Sequence, residues 1–276
     1  MAGGGDSIPK ACIFDIGGVV VGSPLVGINE YEKERGLPFN YLNVAITQTG
    51  KSGAFQRLER SEIDMYTFYE AFGKELSQVD LMNRWFTEFC KARGTEVPKL
   101  PTSLTVDGRE LFGLMMKQST KADAKMVAAI EKLRASGNFK VAALTNNFSP
   151  PTQPPSGSGS ARGGRVPSLE EELDHLGIGQ GTRQIKGLFH HYIESAKVGM
   201  RKPEEGFYKY ALDLLGVKPE ETVFLDDIGI NLKAAQKLGI KTIRVSPKSS
   251  LPALQELEKV VGMKLLEGDD AARSKL

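Results

Sequence analysis

Short apolar runs recur along the chain, and two of them end in carboxylates. Ala11–Phe14 is followed directly by Asp15, and residues 223–225 are followed by Asp226 and Asp227. A continuous apolar run of this length is typical of an interior strand in a parallel sheet. Because α/β folds place their ligand sites beyond the carboxyl ends of such strands, we expect these carboxylates to share a hard cation.

Helical and strand periodicities alternate in the second half of the chain. The first predicted helix carries Met126, Ala129, Ile130 and Leu133 on one face, with Thr120 as its N-cap and Gly137 at its end. The later elements are predicted as strand 141–144, helix 206–215, strand 222–225, helix 231–238 and strand 241–245. Alternation of this kind predicts an α/β fold with a parallel sheet.

Between the first strand and this repeating part lies a helical insert. Residues 26–34, 63–76 and 81–92 have helical periodicity and are separated by segments rich in glycine and proline. We therefore expect residues 1–20 and 121–276 to form the α/β core and residues 21–120 to form a helical unit.

Residues 149–167 differ in composition from the rest of the predicted core. This stretch combines proline pairs, alternating glycine and serine, and the tetrapeptide RGGR. Such a segment buries too little apolar surface to offset the entropy of ordering, so we predict a disordered loop. Phosphate binding by its glycines and arginines is an alternative, although the strand–glycine–helix order of a P-loop is missing.

Composition limits the classes of partner. The chain has 276 residues, of which 40% are hydrophobic, and its formal net charge is +2 from 36 basic and 34 acidic residues. This length can bury a sizeable core, and the small net charge predicts neither nucleic acid nor a membrane surface as a partner. We expect Cys12 and Cys90 to be buried thiols in a reducing compartment.

Targeting signals concern the two ends of the sequence. No apolar stretch approaches the roughly 18 residues of a membrane span, and residues 1–10 lack the apolar run of a secretory signal. We therefore expect a cytoplasmic protein with no membrane span, unless it is imported into an organelle. The last three residues, Ser274-Lys275-Leu276, match the peroxisomal address and predict delivery by the peroxisomal import receptor.

Four short motifs occur in the order found in a known superfamily. They are FDIGGV at residues 14–19, Thr145-Asn146-Asn147, Lys202-Pro203 and Leu225-Asp226-Asp227. In this order they resemble the haloacid dehalogenase superfamily. Residues 198–204 and 223–232 are further similar to the amino-terminal phosphatase domain of soluble epoxide hydrolase. The resemblance implies a Rossmann-like α/β core with a helical cap inserted after the first strand.

The resemblance also implies a nucleophile and a metal site. Asp15 is the expected nucleophile, which would form an aspartyl-phosphate and divide hydrolysis into two steps. Mg²⁺ is the expected cofactor, held by Asp15, the backbone carbonyl of Gly17 and Asp227. Asp226 is expected to support this site without binding the ion directly.

Three further residues are expected to contact a phosphate substrate. Thr145 would donate its hydroxyl to a phosphoryl oxygen, Asn146 would orient the substrate, and Lys202 would supply positive charge. Each of these residues could also have a purely structural role. Thr145 would then be a turn hydroxyl, Lys202 would lie on a solvated face, and the aspartates would cap a helix or a turn. All four motifs together favour a shared site.

Gly17 departs from the phosphatase pattern, which places a second aspartate two residues after the nucleophile. The backbone carbonyl of Gly17 can still bind a metal ion, but glycine has no side chain to protonate a leaving oxygen and activate water. The main hypothesis is therefore a Mg²⁺-dependent phosphatase acting on a small organic or lipid phosphate, impaired for poor leaving groups. A non-catalytic phosphate- or metal-binding relative and a haloacid dehalogenase-type hydrolase remain alternatives.

Overall fold

The chain forms two compact units. The computed structural model describes residues 8–154 and 167–267. Residues 8–22, 121–147 and 180–267 form one unit, here called the sheet unit. Ser23–Thr120 and the described parts of residues 148–179 form the other, here called the helical unit.

The sheet contains five parallel strands in the order β3-β2-β1-β4-β5. The strands are β1 (Ala11–Phe14), β2 (Lys140–Thr145), β3 (His191–Glu194), β4 (Thr222–Asp226) and β5 (Lys241–Arg244). The central strand β1 pairs with both β2 and β4, and Phe14 lies opposite Ala143 on one side and Leu225 on the other. The predicted α/β fold with a parallel sheet is confirmed.

Helices account for most of the remaining described residues. They are α1 (Pro24–Glu34), α2 (Tyr41–Gln48), α3 (Ala54–Glu59), α4 (Met65–Glu75), α5 (Val79–Ala92), α6 (Gly108–Gln118), α7 (Ala124–Ala135), α8 (Leu169–His175), α9 (Gln180–Gly187), α10 (Ser195–Val198), α11 (Glu205–Leu215), α12 (Gly229–Lys237) and α13 (Leu251–Val261). Within residues 8–154 and 167–267, every helix is too short or too polar to traverse a lipid bilayer.

Helices cover both faces of the sheet. Alternate residues of each strand point to opposite faces, so apolar side chains on both faces need helices to bury them. Cys12 and Phe14 of β1 belong to an apolar cluster that includes side chains of α7 and α13. Ala11 and Ile13 belong to a second cluster with side chains of α11 and α12. A strand that is apolar on both faces therefore lies in the interior, as the run Ala11–Phe14 predicted.

The predicted N-cap of α7 was wrong. Asp123 occupies that position, and its carboxylate accepts hydrogen bonds from the amides of Lys125 and Met126 at 2.9 and 3.0 Å. Thr120 instead donates its hydroxyl to the carbonyl of Lys117 at 2.9 Å. Threonine and aspartate are both favoured as N-caps, and Asp123 takes the role because it lies next to the first turn of α7, where the free amides are.

The helical unit has its own core and includes residues that the sequence assigned elsewhere. Its aromatic centre contains Phe68, Phe72 and Phe112, and the ring of Phe148 lies 5.1 Å from that of Phe112. Residues 148–154 and 167–179 thus pack with the helical unit, whereas the sequence placed them in the core. The unit is formed by two separate parts of the chain.

Two predictions concern residues outside the described ranges. Most of the predicted disordered loop, residues 155–166, lies there, as does the tripeptide Ser274-Lys275-Leu276. The described start of that loop makes contacts within the helical unit, where Tyr66 donates its hydroxyl to the Gln153 carbonyl at 2.8 Å. Disorder of residues 155–166 and peroxisomal delivery stay predictions.

Candidate active site

Three carboxylates converge at the carboxyl edge of the sheet. Asp15 follows β1, Asp226 ends β4 and Asp227 is the next residue along the chain. One carboxylate oxygen from each lies within 4.8 Å of the others, and all three side chains are buried. The predicted meeting of these residues is confirmed, since β1 and β4 are adjacent parallel strands.

Asp15 is held by its backbone and by one oxygen of its carboxylate. Its amide donates to the carbonyl of Leu225 at 2.9 Å, which extends the pairing of β1 with β4 by one residue. Its Oδ1 atom accepts a hydrogen bond from the amide of Ile16 at 2.6 Å. The same oxygen lies 2.8 Å from Nζ of Lys202.

Lys202 bridges two of the carboxylates from a buried position. Its side chain is 1% exposed, and its Nζ atom lies 2.8 Å from Oδ1 of Asp15 and 2.8 Å from Oδ2 of Asp226. Nζ also lies 5.3 Å from the centre of the Phe224 ring. The interpretation of Lys202 as a residue on a solvated face is therefore wrong.

Asp226 is fully engaged by donors from the protein. Its Oδ1 atom accepts from the amide of Ile228 at 2.7 Å, while Nδ2 of Asn231 lies 3.2 and 3.1 Å from its two oxygens. Its Oδ2 atom also accepts from Lys202. With both oxygens used in this way, Asp226 orients Lys202 and fits a supporting role.

Gly18 allows Asp227 to approach the turn after β1. Its φ angle is +77°, which side chains rarely allow, and a Cβ atom built there would lie 2.2 Å from Oδ2 of Asp227. Gly17, the preceding residue, forms a bridge with Val21 in the same turn. The turn therefore brings the backbone next to the Asp227 carboxylate.

The charges of the cluster shift the pKa values of its members. Burial raises the pKa of Asp15 well above its ordinary value, and the charges of Asp226 and Asp227 raise it further although Lys202 opposes them. Burial alone would lower the pKa of Lys202, but Asp15 and Asp226 more than offset it, and the pKa lies above its ordinary value. Lys202 therefore carries a positive charge at neutral pH.

Thr145 and Asn146 lie at the same edge of the sheet, where β2 ends. Thr145 is buried, and its hydroxyl donates to the carbonyl of Asn146 at 3.4 Å. The side chain of Asn146 binds the backbone of Lys202 at both ends of its amide. Asn147 is bound to the end of β3, because Nδ2 donates to Oε1 of Glu194 at 2.9 Å.

The amino-acid sequence that carries this site matches a family of hydrolases. The sequence model described as "Hydrolase: haloacid dehalogenase-like hydrolase" matches residues 9–239. The chain belongs to this family. The match includes every residue of the carboxylate cluster and confirms the resemblance inferred from the four motifs.

Curated relatives fall into two kinds by length. Bifunctional epoxide hydrolase 2 of Sus scrofa is 31% identical over 94% of this chain and 40% of its own length. Acyl-CoA dehydrogenase family member 10 of Mus musculus is 31% identical over 93% of this chain and 19% of its own length. This chain therefore spans less than half of either relative. Sesquiterpene phosphatase astK of Aspergillus oryzae is 26% identical, over 92% of this chain and 97% of its own length.

One solved structure of a similar protein is described as that of a predicted HAD-like family hydrolase from Porphyromonas gingivalis. It is 19% identical to this chain, with a TM-score of 0.49, over 91% of this chain and 98% of the other. The family assignment does not depend on this likeness, because the sequence match already covers most of the chain.

The donor set of this haloacid dehalogenase-like site fits a hard divalent cation. Three buried carboxyl groups lie around one buried ammonium group, so the acidic groups of the cluster outnumber its cation by two. All the candidate ligands are oxygen atoms, which Mg²⁺ and Ca²⁺ prefer over nitrogen or sulfur. Asp15 and Asp227 are the carboxylates best suited to bind such an ion, since Asp226 is engaged by Ile228, Asn231 and Lys202.

Several supporting residues were missed by the sequence reasoning. Asn231 follows Asp226 by five positions and reaches back to it from the first turn of α12. Glu194 and Ser195, at the end of β3, hold Asn147. The spacing of Asn231 from Asp226 was a usable signal, because Asp226 ends β4 and Asn231 lies in the first turn of the helix that follows, whereas Glu194 carried no such signal.

Proposed function

We propose that this protein is a Mg²⁺-dependent phosphatase acting on a small organic or lipid phosphate through an aspartyl-phosphate at Asp15. The observation that supports it most is the buried cluster of Asp15, Asp226 and Asp227 bridged by Lys202. A phosphate ester carries negative charge, so an anionic nucleophile can approach it only where positive charge is concentrated. Lys202 supplies part of that charge.

The metal would be held by Asp15, Asp227 and the backbone carbonyl of Gly17. When bound, Mg²⁺ would neutralise charge on the nucleophile and on the transferring phosphoryl group. Asp226 would hold Lys202 in place through the 2.8 Å contact with Nζ. Thr145 would turn its hydroxyl toward a phosphoryl oxygen, since the present 3.4 Å contact with Asn146 is long and easily exchanged.

Two displacements at phosphorus would complete the reaction. In the first, the Asp15 carboxylate forms a bond to phosphorus while the bond to the leaving oxygen breaks, and that oxygen departs as an anion. In the second, water attacks the aspartyl-phosphate, which releases inorganic phosphate and restores Asp15. Gly17 offers no side chain to protonate the leaving oxygen, so aryl, acyl and anomeric phosphates should be the best substrates.

One relative supports a phosphate substrate of this class without identifying the compound. Sesquiterpene phosphatase astK is covered over 97% of its length by this chain, and its name describes a phosphatase for an apolar terpenoid. A lipid-like phosphate is therefore included beside small organic phosphates. The non-catalytic relative stays a second candidate, because Gly17 removes the acid–base side chain while leaving the carboxylate cluster intact.

A phosphatase panel with and without Mg²⁺ tests the proposal. Phosphate release should require Mg²⁺, stop on addition of a chelator and fall roughly 10³-fold or more in Asp15→Asn. Asp213→Asn, at an exposed position of α11, is the matched control and should keep full activity. Binding of Mg²⁺ and phosphate without turnover would favour the non-catalytic relative. Halide release from a haloacid in the presence of chelator would favour the dehalogenase.

A further inference from the structure

The side chain of Asn146 forms two hydrogen bonds with the backbone of Lys202. Its Oδ1 atom accepts a hydrogen bond from the Lys202 amide at 2.8 Å, and its Nδ2 atom donates to the Lys202 carbonyl at 3.0 Å. Both groups of one side-chain amide are thus used by a single residue that lies 56 positions away in sequence. Two bonds to one residue restrict its rotation as well as its distance.

The Lys202 backbone matters because its side chain has little freedom to compensate for a shift. The side chain is 1% exposed, and Nζ lies 2.8 Å from both Asp15 and Asp226. A displacement of the backbone by a fraction of an ångström would lengthen at least one of these contacts. The position of the charge beside the candidate nucleophile therefore depends on what holds the Lys202 backbone.

We propose that Asn146 is a positioning residue that acts through Lys202, where the sequence predicted contact with the substrate. The reciprocal amide contacts tie the end of β2 to the segment carrying Lys202 and set where the ammonium group lies. Only the kinetic test of this inference rests on the proposed function, because that test needs phosphatase activity. Its structural test is independent of any activity.

Asn147 provides a matched comparison within the same loop. It is the same residue type at the next position, but its Nδ2 atom donates to Glu194 at 2.9 Å and its Oδ1 atom accepts from the Ala196 amide at 3.4 Å. Its own amide donates to Oγ of Ser195 at 2.9 Å. Asn147 therefore anchors the loop to β3, while Asn146 anchors Lys202.

Amide hydrogen exchange tests the contact directly. In Asn146→Ala the Lys202 amide loses its acceptor, so its exchange rate should rise about 10-fold relative to the Asp15 amide, which keeps its bond to Leu225. Asn147→Ala should leave the ratio unchanged. Unchanged protection of Lys202 in Asn146→Ala would overturn the inference.

A double-mutant cycle tests the functional consequence. Asn146→Ala should lower kcat about 10- to 100-fold with little change in KM, as expected when a charged group is misplaced. In a Lys202→Met background the same change should have no further effect, because the group it positions is gone. A rise in KM that persists in that background would identify Asn146 as a substrate ligand and would contradict the inference.

The two experiments separate this inference from the proposed function. A wild-type protein without phosphatase activity would refute the proposed function, and the exchange measurement would still decide the role of Asn146. If Lys202→Met does not fold, the exchange ratios of Asn146→Ala and Asn147→Ala decide that role, because both variants retain Lys202.

Discussion

Two adjacent glycines in the turn after β1 are subject to different constraints. Gly18 has a φ angle of +77° and lies where a Cβ atom would meet Oδ2 of Asp227 at 2.2 Å. Gly17 is not among the glycines with positive φ, so its backbone conformation does not require glycine. A side chain can therefore be introduced at position 17 at a lower conformational cost than at position 18.

Gly17→Asp should raise turnover of alkyl phosphates. The new carboxyl group would supply the missing general acid and base, a contribution worth roughly 10² to 10⁴ in rate, or about 3 to 5 kcal/mol. Aryl phosphates should gain less, since their leaving groups need no proton. The measurement is kcat/KM for one alkyl and one aryl phosphate.

Gly18→Ala is the contrasting variant for that experiment. It should lower the activity on both substrates, because the added methyl group would displace the Asp227 carboxylate and strain the backbone. If Gly17→Asp gives no gain on the alkyl phosphate, the missing acid–base group does not explain the expected preference for acidic leaving groups.

At the scale of elements, Glu32 of α1 caps the start of α2. Its Oε2 atom accepts from the amide of Asn40 at 2.8 Å, and its Oε1 atom accepts from the amide of Leu42 at 2.7 Å. These are amides that the helix itself cannot satisfy. Glu32 is 1% exposed, and burial raises its pKa to about 7 even though these amides oppose the shift.

The raised pKa predicts that Glu32 makes stability depend on pH. A carboxyl whose pKa is higher in the folded than in the unfolded protein stabilises the fold below its unfolded pKa of 4.5, and this contribution is lost as pH rises to about 7. The free energy of unfolding of wild type relative to Glu32→Gln should therefore fall by about 3 kcal/mol between these pH values.

Urea unfolding at several pH values gives this difference. Glu34→Gln, which removes an exposed carboxylate from the same helix, controls for the loss of one charge. A difference between wild type and Glu32→Gln that is flat from pH 4.5 to 7 would show that folding does not raise the pKa of Glu32 and would contradict this prediction.

At the scale of the whole molecule, each unit is assembled from parts of the chain that are distant in sequence. In the helical unit, Glu172 of α8 is fully buried and binds residues of α4 and α6. Its Oε1 atom accepts from the Tyr69 hydroxyl at 2.6 Å, and its Oε2 atom accepts from Nη2 of Arg109 at 2.8 Å. This network attaches α8 to the helices of residues 23–120.

Arg109→Leu should destabilise the helical unit by about 2 to 3 kcal/mol. The change leaves a buried carboxylate without its cation, and the estimate lies below that for a fully buried pair because the Arg109 side chain is 39% exposed. Urea unfolding followed by fluorescence measures this, since the single tryptophan, Trp85, lies in the helical unit.

Arg57→Leu is the control for this measurement. Arg57 lies 3.8 Å from Glu62, and both side chains are more than two-fifths exposed, at 42% and 46%. Loss of such a pair should cost less than about 1 kcal/mol. Equal effects of Arg57→Leu and Arg109→Leu would mean that burial of Glu172 adds nothing to the value of its ion pair.

Prediction from sequence succeeded where the signal was local. The apolar run Ala11–Phe14 predicted β1 with its observed bounds, and the alternation of periodicities predicted the parallel sheet. The carboxylates were found because each lies at the end of a strand or directly after it. Thr120 and Asp123 show the limit of such signals, since both suit an N-cap and only their position relative to the first turn distinguishes them.

The sequence by itself determined the strands β1, β2, β4 and β5, the helices between them that carry an apolar face, and which acidic residues stand at strand ends, because apolar periodicity and chain direction act over neighbouring residues. Tertiary structure decided the strand order β3-β2-β1-β4-β5, the hydrogen bonds between Asn146 and the Lys202 backbone, and the burial of Glu172 beside Arg109. These contacts join residues that are tens of positions apart in sequence. They depend on how whole helices and strands pack together, and a local sequence pattern does not determine that packing.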